Sequence, residues 1–176
     1  VKTFPGTDAD AYKALARHWA ASVNIVTAQR NPTDGGQADH LERDGFTATA
    51  FLTVSIDPPI ILVSVTNASS AAEILKSAES FAVNMLAHDQ AELSGAFARG
   101  QAERAALWDS IPWTESQIGT PLLGGTLGAF EARVRELVPA GDHTLVLGDV
   151  IAIHHGTGEG TLLYHNRGYG GFHKHD

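Results

Sequence analysis

No cysteine occurs among the 176 residues, so disulfides, thiolate metal centres and a cysteine nucleophile are excluded together. Basic residues are also few, with 12 Lys and Arg against 20 Asp and Glu and a net charge of -8. Without a basic cluster, neither nucleic acid nor an anionic membrane surface is expected as the main partner. Long apolar runs are missing: none approaches the roughly 18 residues of a spanning helix. The opening VKTFPGTDADAY has no apolar signal core, so a cytoplasmic protein is expected. GxSxG, HExxH, a P-loop and a GxGxxG set between strand and helix are all lacking. No segment repeats at the spacing of a solenoid or propeller. With 43% hydrophobic residues, the chain is expected to form one domain over 1–176 around a substantial core.

Among what is present, GFTATAFLTVSIDPP (45–59) stands out. Phe46, Ala48, Ala50, Leu52, Val54 and Ile56 alternate with Thr47, Thr49, Phe51, Thr53 and Ser55. An extended strand sends these to opposite sides, giving one apolar face and one lined by hydroxyls around a single ring. Such a face leaves hydrogen-bonding groups open to a flat polar ligand. An ordinary half-buried strand, with Thr present for β-propensity, fits the same pattern.

Before it, Asp8 to Ala21 reads as an amphipathic helix lying over a sheet or barrel, with Asp8 or Asp10 as its cap. Ser22 to Ala28 reads as a strand, and Gln29 to Asp44 as a solvent loop with Pro32 and Gly35-Gly36. After it, Asp57-Pro58-Pro59 interrupts pairing, and Ile60 to Val65 reads as a strand buried on both faces. Ser70 and Glu73 fit a capping box opening a helix over AAEILKSA. Strand, polar turn and helix start together suggest a phosphate seat, although a capped helix needs no ligand.

Phe81 to Leu86 is a further strand, followed by a helix over AELSGAFARG. Trp108 and Trp113 suit core packing. Gly124 to Val138 and His143 to His154 form a hairpin across Pro139-Ala140-Gly141-Asp142. Thr161 to His165 is a last strand, and 167–176 a Gly-, aromatic- and His-rich tail. Six or seven strands with few short helices make a β-dominated domain, most simply a barrel closed by helices.

Nine histidines raise the question of a metal. His154 and His155 are neighbours on a strand and point apart; His165, His173 and His175 lie in or near the tail. No metal site is expected. His143 begins a strand at a rim that a ligand can approach, where its imidazole either polarises a substrate group or pins the turn through Asp142.

The ordered segments GFTATAFLTVSIDPPIILVSV, NASSAAEILKSAESFAVNMLAHDQAELSGAFA and GTLGAFEARVRELVPAGDHTLVLGDV resemble the flavin reductase-like, FMN-binding split-barrel family. The resemblance runs from about Tyr12 to Tyr169. It implies a mainly β, six-stranded split barrel with short flanking helices, forming a homodimer that binds FMN or FAD near the subunit interface. Position by position, it implies that Ala48, Thr49, Ala50, Phe51 and Leu52 line the isoalloxazine, with Val54 and Ser55 alongside. Thr66, Asn67, Ser69 and Ser70 would hold the ribityl chain and phosphate, and Phe97, Ala98 and Arg99 would also reach the flavin. His143 would lie near the nicotinamide, and Tyr169 would approach the reduced pyridine nucleotide.

The implied activity is that of an NAD(P)H:flavin oxidoreductase, passing hydride from NADH or NADPH to FMN or FAD. Reduced flavin would go to a partner monooxygenase. Alternatives are a split-barrel flavoprotein that reduces a bound small molecule directly, or a non-catalytic flavin- or haem-binding protein. Two departures bear on which flavin is bound: Thr49-Ala50-Phe51 replaces the family's usual Phe/Ser pair, and Ala21-Ser22-Val23 replaces a Gly-containing turn.

Overall fold

Asp8 starts the first helix through its carboxylate, which accepts the N–H groups of Asp10 (3.1 Å) and Ala11 (2.9 Å). The computed structural model describes residues 1–30 and 42–173, so most of the polar loop expected over 29–44, including its Pro32 and Gly pair, lies outside the described residues. Helix α1 (Ala9–Ala16) is shorter than the expected stretch to Ala21 and buries none of its residues. It therefore does not lie over the sheet as expected. Its last turn tightens as His18 N–H bonds to Leu15 O (3.0 Å) and Trp19 N–H to Ala16 O (3.1 Å).

The remaining elements are β1 (Ala21–Ser22), β2 (Asn24–Arg30), β3 (Glu42–Ala48), β4 (Phe51–Ile56) and β5 (Pro59–Thr66). Then come α2 (Ser70–Ser77), β6 (Ser80–Met85), α3 (Ala91–Phe97), α4 (Gln101–Ala105) and a 3-10 turn at Ala106–Asp109. Last are β7 (Trp113–Glu115), β8 (Pro121–Leu123), β9 (Gly128–Ala140), β10 (His143–His155), β11 (Leu163–His165) and β12 (Gly168–Gly170).

Seven strands form the principal sheet in the order β3-β2-β6-β9-β10-β5-β4, with every neighbour antiparallel. Its two edge strands are consecutive in the chain, separated only by Thr49 and Ala50. So short a link requires the sheet to curl until its edges nearly meet, and Ala50 O accepts the Ser64 N–H of β5 (3.0 Å), carrying the β4–β5 pairing one residue toward the break. Counting β3 and β4 as one interrupted strand, this is the six-stranded split barrel.

Phe46 to Ile56 is thus not the unbroken strand its alternation suggests. Neither the β2–β3 nor the β4–β5 ladder includes Thr49 or Ala50. Beyond the break the register shifts between Thr53 and Ser55, and Leu52, Val54 and Ile56 stand 57%, 46% and 93% exposed. The stripe starts in the core at Ala48 and ends outside it.

The core has two parts. One fills the curled sheet under α2 with Val26, Val63, Leu75, Phe81 and Val146. The other joins Ile25, Leu86, Phe97 and Trp108, the Trp108 ring meeting Phe97 and Trp113 edge-on at 5.6 Å. Along β5, Ile61, Val63 and Val65 are buried while Leu62 and Ser64 are only half-buried, so that strand has one core face rather than two. The β9–β10 hairpin forms as expected, with Gly141 at φ 63° in its turn. The tail contributes more than expected: β12 pairs with β11 and β11 with β1, making a small second sheet.

Candidate functional site

A cleft of about 560 Å³ opens where the sheet is interrupted. One wall runs from Phe46 to Ala50, the second comes from Ser64 to Thr66 of β5, and the third from the start of α2. The connection between α3 and α4 closes it with Phe97 to Gly100 and Arg104.

The first wall is low. Ala48 and Ala50 carry only methyl groups, and Thr49 and Ala50 belong to no ladder, so their N–H groups are not committed to strand pairing. Thr47 is held from behind, its hydroxyl donating to Ser94 O (2.6 Å). Gly45 lets Phe97 approach: a Cβ there would lie 2.9 Å from Phe97 Cε1. A flat ring has room against such a surface, with backbone donors at its edge.

At the other end the helix cap is Ser69, one residue earlier than expected, its hydroxyl accepting Ala72 N–H (3.2 Å). Ser70 becomes the first helical residue, leaving its hydroxyl to accept from Arg104 Nη2 (3.1 Å). Arg104 is buried and lies against both carboxylate oxygens of Asp44. Helix start and two hydroxyls favour an anionic group here, while the charge of Arg104 is balanced by Asp44.

His143 reaches the cleft because it pairs with Thr66 at the end of the β10–β5 ladder. Its Nδ1 bonds to Asp142 Oδ1 (2.7 Å), so it pins the turn as one reading required, while the half-exposed ring lines the cleft. That bond, and then the imidazolium charge, hold the Asp142 carboxyl below its ordinary 3.8. Among the described residues, the cleft lining contains no Asp or Glu that could act as a general base.

The sequence-derived candidates therefore divide. Ala48, Thr49, Ala50, Thr66, Ser69, Ser70, Phe97, Ala98, Arg99 and His143 are brought together in the cleft. Phe51, Leu52, Val54 and Ser55 are not, because they follow the break onto β4. Asn67 also falls outside the lining, its carbonyl oxygen accepting from Lys76 Nζ and Thr144 Oγ1 at 2.7 Å each. Tyr169 stands behind the first wall, its hydroxyl 2.9 Å from Ser94 Oγ. Among histidines, His154 bonds through Nε2 to buried Glu131 (3.0 Å), whose other oxygen accepts from Ser116; His175 lies outside the described residues.

Sequence reasoning missed Phe46, Thr47, Ser64, Val65, Gly100 and Arg104. For Arg104 the signal was its partner: an acid directly before the Gly45 of an otherwise apolar-alternating strand needs a cation once buried.

Residues 16–173 match the family model described as a flavin reductase like domain. The chain belongs to this family. An NADH:FMN oxidoreductase of Rhodococcus erythropolis is 36% identical over 168 residues, covering 93% of this chain and 82% of that protein. The flavin reductase PheA2 superposes with a TM-score of 0.79 at 27% identity, over 96% of this chain and 100% of its own. BorF, the flavin reductase component of a bacterial two-component tryptophan halogenase, gives 0.80 at 26% identity, over 96% and 100%. This flavin reductase-like chain thus spans both solved structures in full and most of the Rhodococcus protein, and the cleft's low wall, anion seat and backbone donors suit a flavin.

Proposed function

We propose that this chain is an NAD(P)H-dependent flavin reductase, passing hydride to FMN or FAD and releasing reduced flavin to a partner oxygenase. The observation that carries the reading is the cleft itself: a low wall in which Thr49 and Ala50 stand outside the strand ladders, an anion seat at its far end, one imidazole and, among the described residues, no carboxylate in the lining. When bound, the two cofactors supply the redox chemistry, with reduced nicotinamide as hydride donor and flavin as acceptor. The protein is left with positioning and electrostatics. Ala48 to Ala50 give the ring its support and edge donors, while Ser69, Ser70 and the α2 start hold the phosphate with Thr66 beside them. Phe97, Ala98 and Arg99 close the cleft, and His143 directs Nε2 toward the nicotinamide carboxamide.

The subunit contact belongs to the same reading. Leu52, Val54 and Ile56 on β4, and Ile151 and Ile153 on β10, leave large apolar side chains exposed along this edge of the sheet. We assign it to a second copy of this chain, with Phe51 and Ser55 carried near that contact. The oxygenase partner follows from relatives such as BorF, named as reductase components.

Mixing the purified protein with NADH or NADPH, with and without FMN or FAD, tests the activity through the nicotinamide absorbance band. Turnover that requires added flavin is expected. A tightly held flavin that NAD(P)H does not reduce would instead identify a binding protein.

A further inference from the structure

A second cleft, of about 520 Å³, shares Thr49 and Ala50 with the first. We propose that it holds the adenosine diphosphate end of a dinucleotide whose reactive ring lies in the first cleft. The assignment rests on the flavin reductase reading for the identity of that ring, but its residues argue for themselves.

The lining carries three cations, Lys13 and Arg17 from the first helical segment and Arg167 from the β11–β12 turn, and no carboxylate. That runs against a chain of net charge -8. Among the described residues, none of the three has an acidic partner at ion-pair distance. A pyrophosphate carries two negative charges in neutral solution, and guanidinium forks match its oxygens.

The backbone segments that carry Arg17 and Arg167 are joined to each other. Asn166 N–H donates to Arg17 O (3.0 Å), tying the hairpin tip to the end of the helix. That tip is a two-residue turn between paired His165 and Gly168, with Asn166 at φ 47° and Arg167 at φ 66°. Such a turn requires left-handed backbone at both positions, where Asn-Gly is the favoured pair. Arginine replaces glycine at the position that least tolerates a side chain. What the chain gains is a guanidinium in the cleft.

Two rings complete the site. Trp19 and Tyr164 both line it, and Trp19 is 79% exposed, open to stacking by a purine. Tyr164 meets Tyr169 edge-on (5.4 Å), and the Tyr169 hydroxyl reaches Ser94, whose carbonyl holds Thr47 in the first cleft's wall. A ligand crossing Thr49–Ala50 would touch both clefts.

Two sources carry the same end group: the nicotinamide dinucleotide and FAD. The experiment separates them by truncation. ADP-ribose is titrated against the protein by Trp fluorescence and calorimetry, using wild type, Arg17→Ala/Arg167→Ala and Arg167→Gly. Steady-state KM is then compared for NADH against reduced nicotinamide mononucleotide, and for FAD against FMN. The double variant is expected to bind ADP-ribose about tenfold more weakly or worse, the loss of charge-assisted hydrogen bonds. KM should rise for NADH but not the mononucleotide if the donor occupies the cleft, or for FAD but not FMN if the flavin does. Arg167→Gly relaxes the turn, so it should raise Tm while still weakening binding, which a folding defect cannot do. Equal ADP-ribose binding by wild type and variants, or equal KM changes for whole and truncated nucleotides, would overturn the assignment. Absence of turnover in wild type would sink the reductase reading alone, because the ADP-ribose arm needs no catalysis.

Discussion

Arg104 lies in parallel against Asp44, with Nε 2.9 Å from Oδ1 and Nη2 2.5 Å from Oδ2, both side chains being under a tenth exposed. Its Nη1 also donates to Arg99 O (2.7 Å), and Nη2 reaches Ser70 (3.1 Å). One guanidinium thus ties β3, the start of α2 and the α3–α4 connection, which are three sides of the first cleft. Removing either partner leaves a buried charge alone, so Asp44→Ala and Arg104→Ala should each cost on the order of 3–5 kcal/mol in urea unfolding. The double variant should lose less than the sum. Additive losses would mean that the two groups do not depend on each other.

His143→Ala should fold normally, since strand pairing with Thr66 uses the backbone. We expect kcat/KM for NADH to fall roughly tenfold, the scale of one lost polar contact to the donor. Circular dichroism and flavin-dependent NADH oxidation check both halves. An unchanged rate removes His143 from the site.

The Asp142 carboxyl is held below 3.8 by the His143 hydrogen bond and then by its charge. In the unfolded chain it titrates at its ordinary value, so the contact's contribution is complete above that value. It disappears as the pH falls through the lower folded value. The contact should therefore survive into acid where free carboxylates are already protonated. Carboxyl carbon NMR should show Asp142 returning to its ordinary value in His143→Ala; no movement would show that another group lowers it.

Gly45→Ala would set a methyl 2.9 Å from the ring of Phe97, which is 1% exposed. Overpacking of this kind costs about 1–3 kcal/mol. Phe97 lines the cleft, so a displaced ring should enter it and flavin should bind more weakly in an equilibrium titration. Loss of stability with unaltered flavin affinity would show that Phe97 moves elsewhere.

The lever arms of this fold were legible where chemistry is local. Asp8 capping its helix, Gly141 turning the long hairpin and the polar opening of α2 each depend on a few adjacent residues. The break at Thr49–Ala50 was not, because side-chain alternation continues across it and only the pairing partners, far away in sequence, reveal it. Ser69 displaced Ser70 as cap because both are serines and only backbone geometry chooses between them. Arg104 was signalled only by the acid it pairs with, 60 residues away at Asp44, and nothing in its own segment marks it. The strand at Gly168–Gly170 has three residues, two of them glycine, and takes its order from β11 rather than from its own propensity.

The interruption at Thr49–Ala50 also bears on how such a chain diversifies. If ligands on both sides are met there by peptide groups, a change of side chain at these positions is nearly silent so long as it stays small. Selection can then act separately on the residues to either side: Phe97 to Arg104 for one ligand, Lys13, Arg17 and Arg167 for the other. Relatives with the same barrel would be expected to share the low wall and to differ in the cations around it, so that preference for a dinucleotide drifts without disturbing the fold.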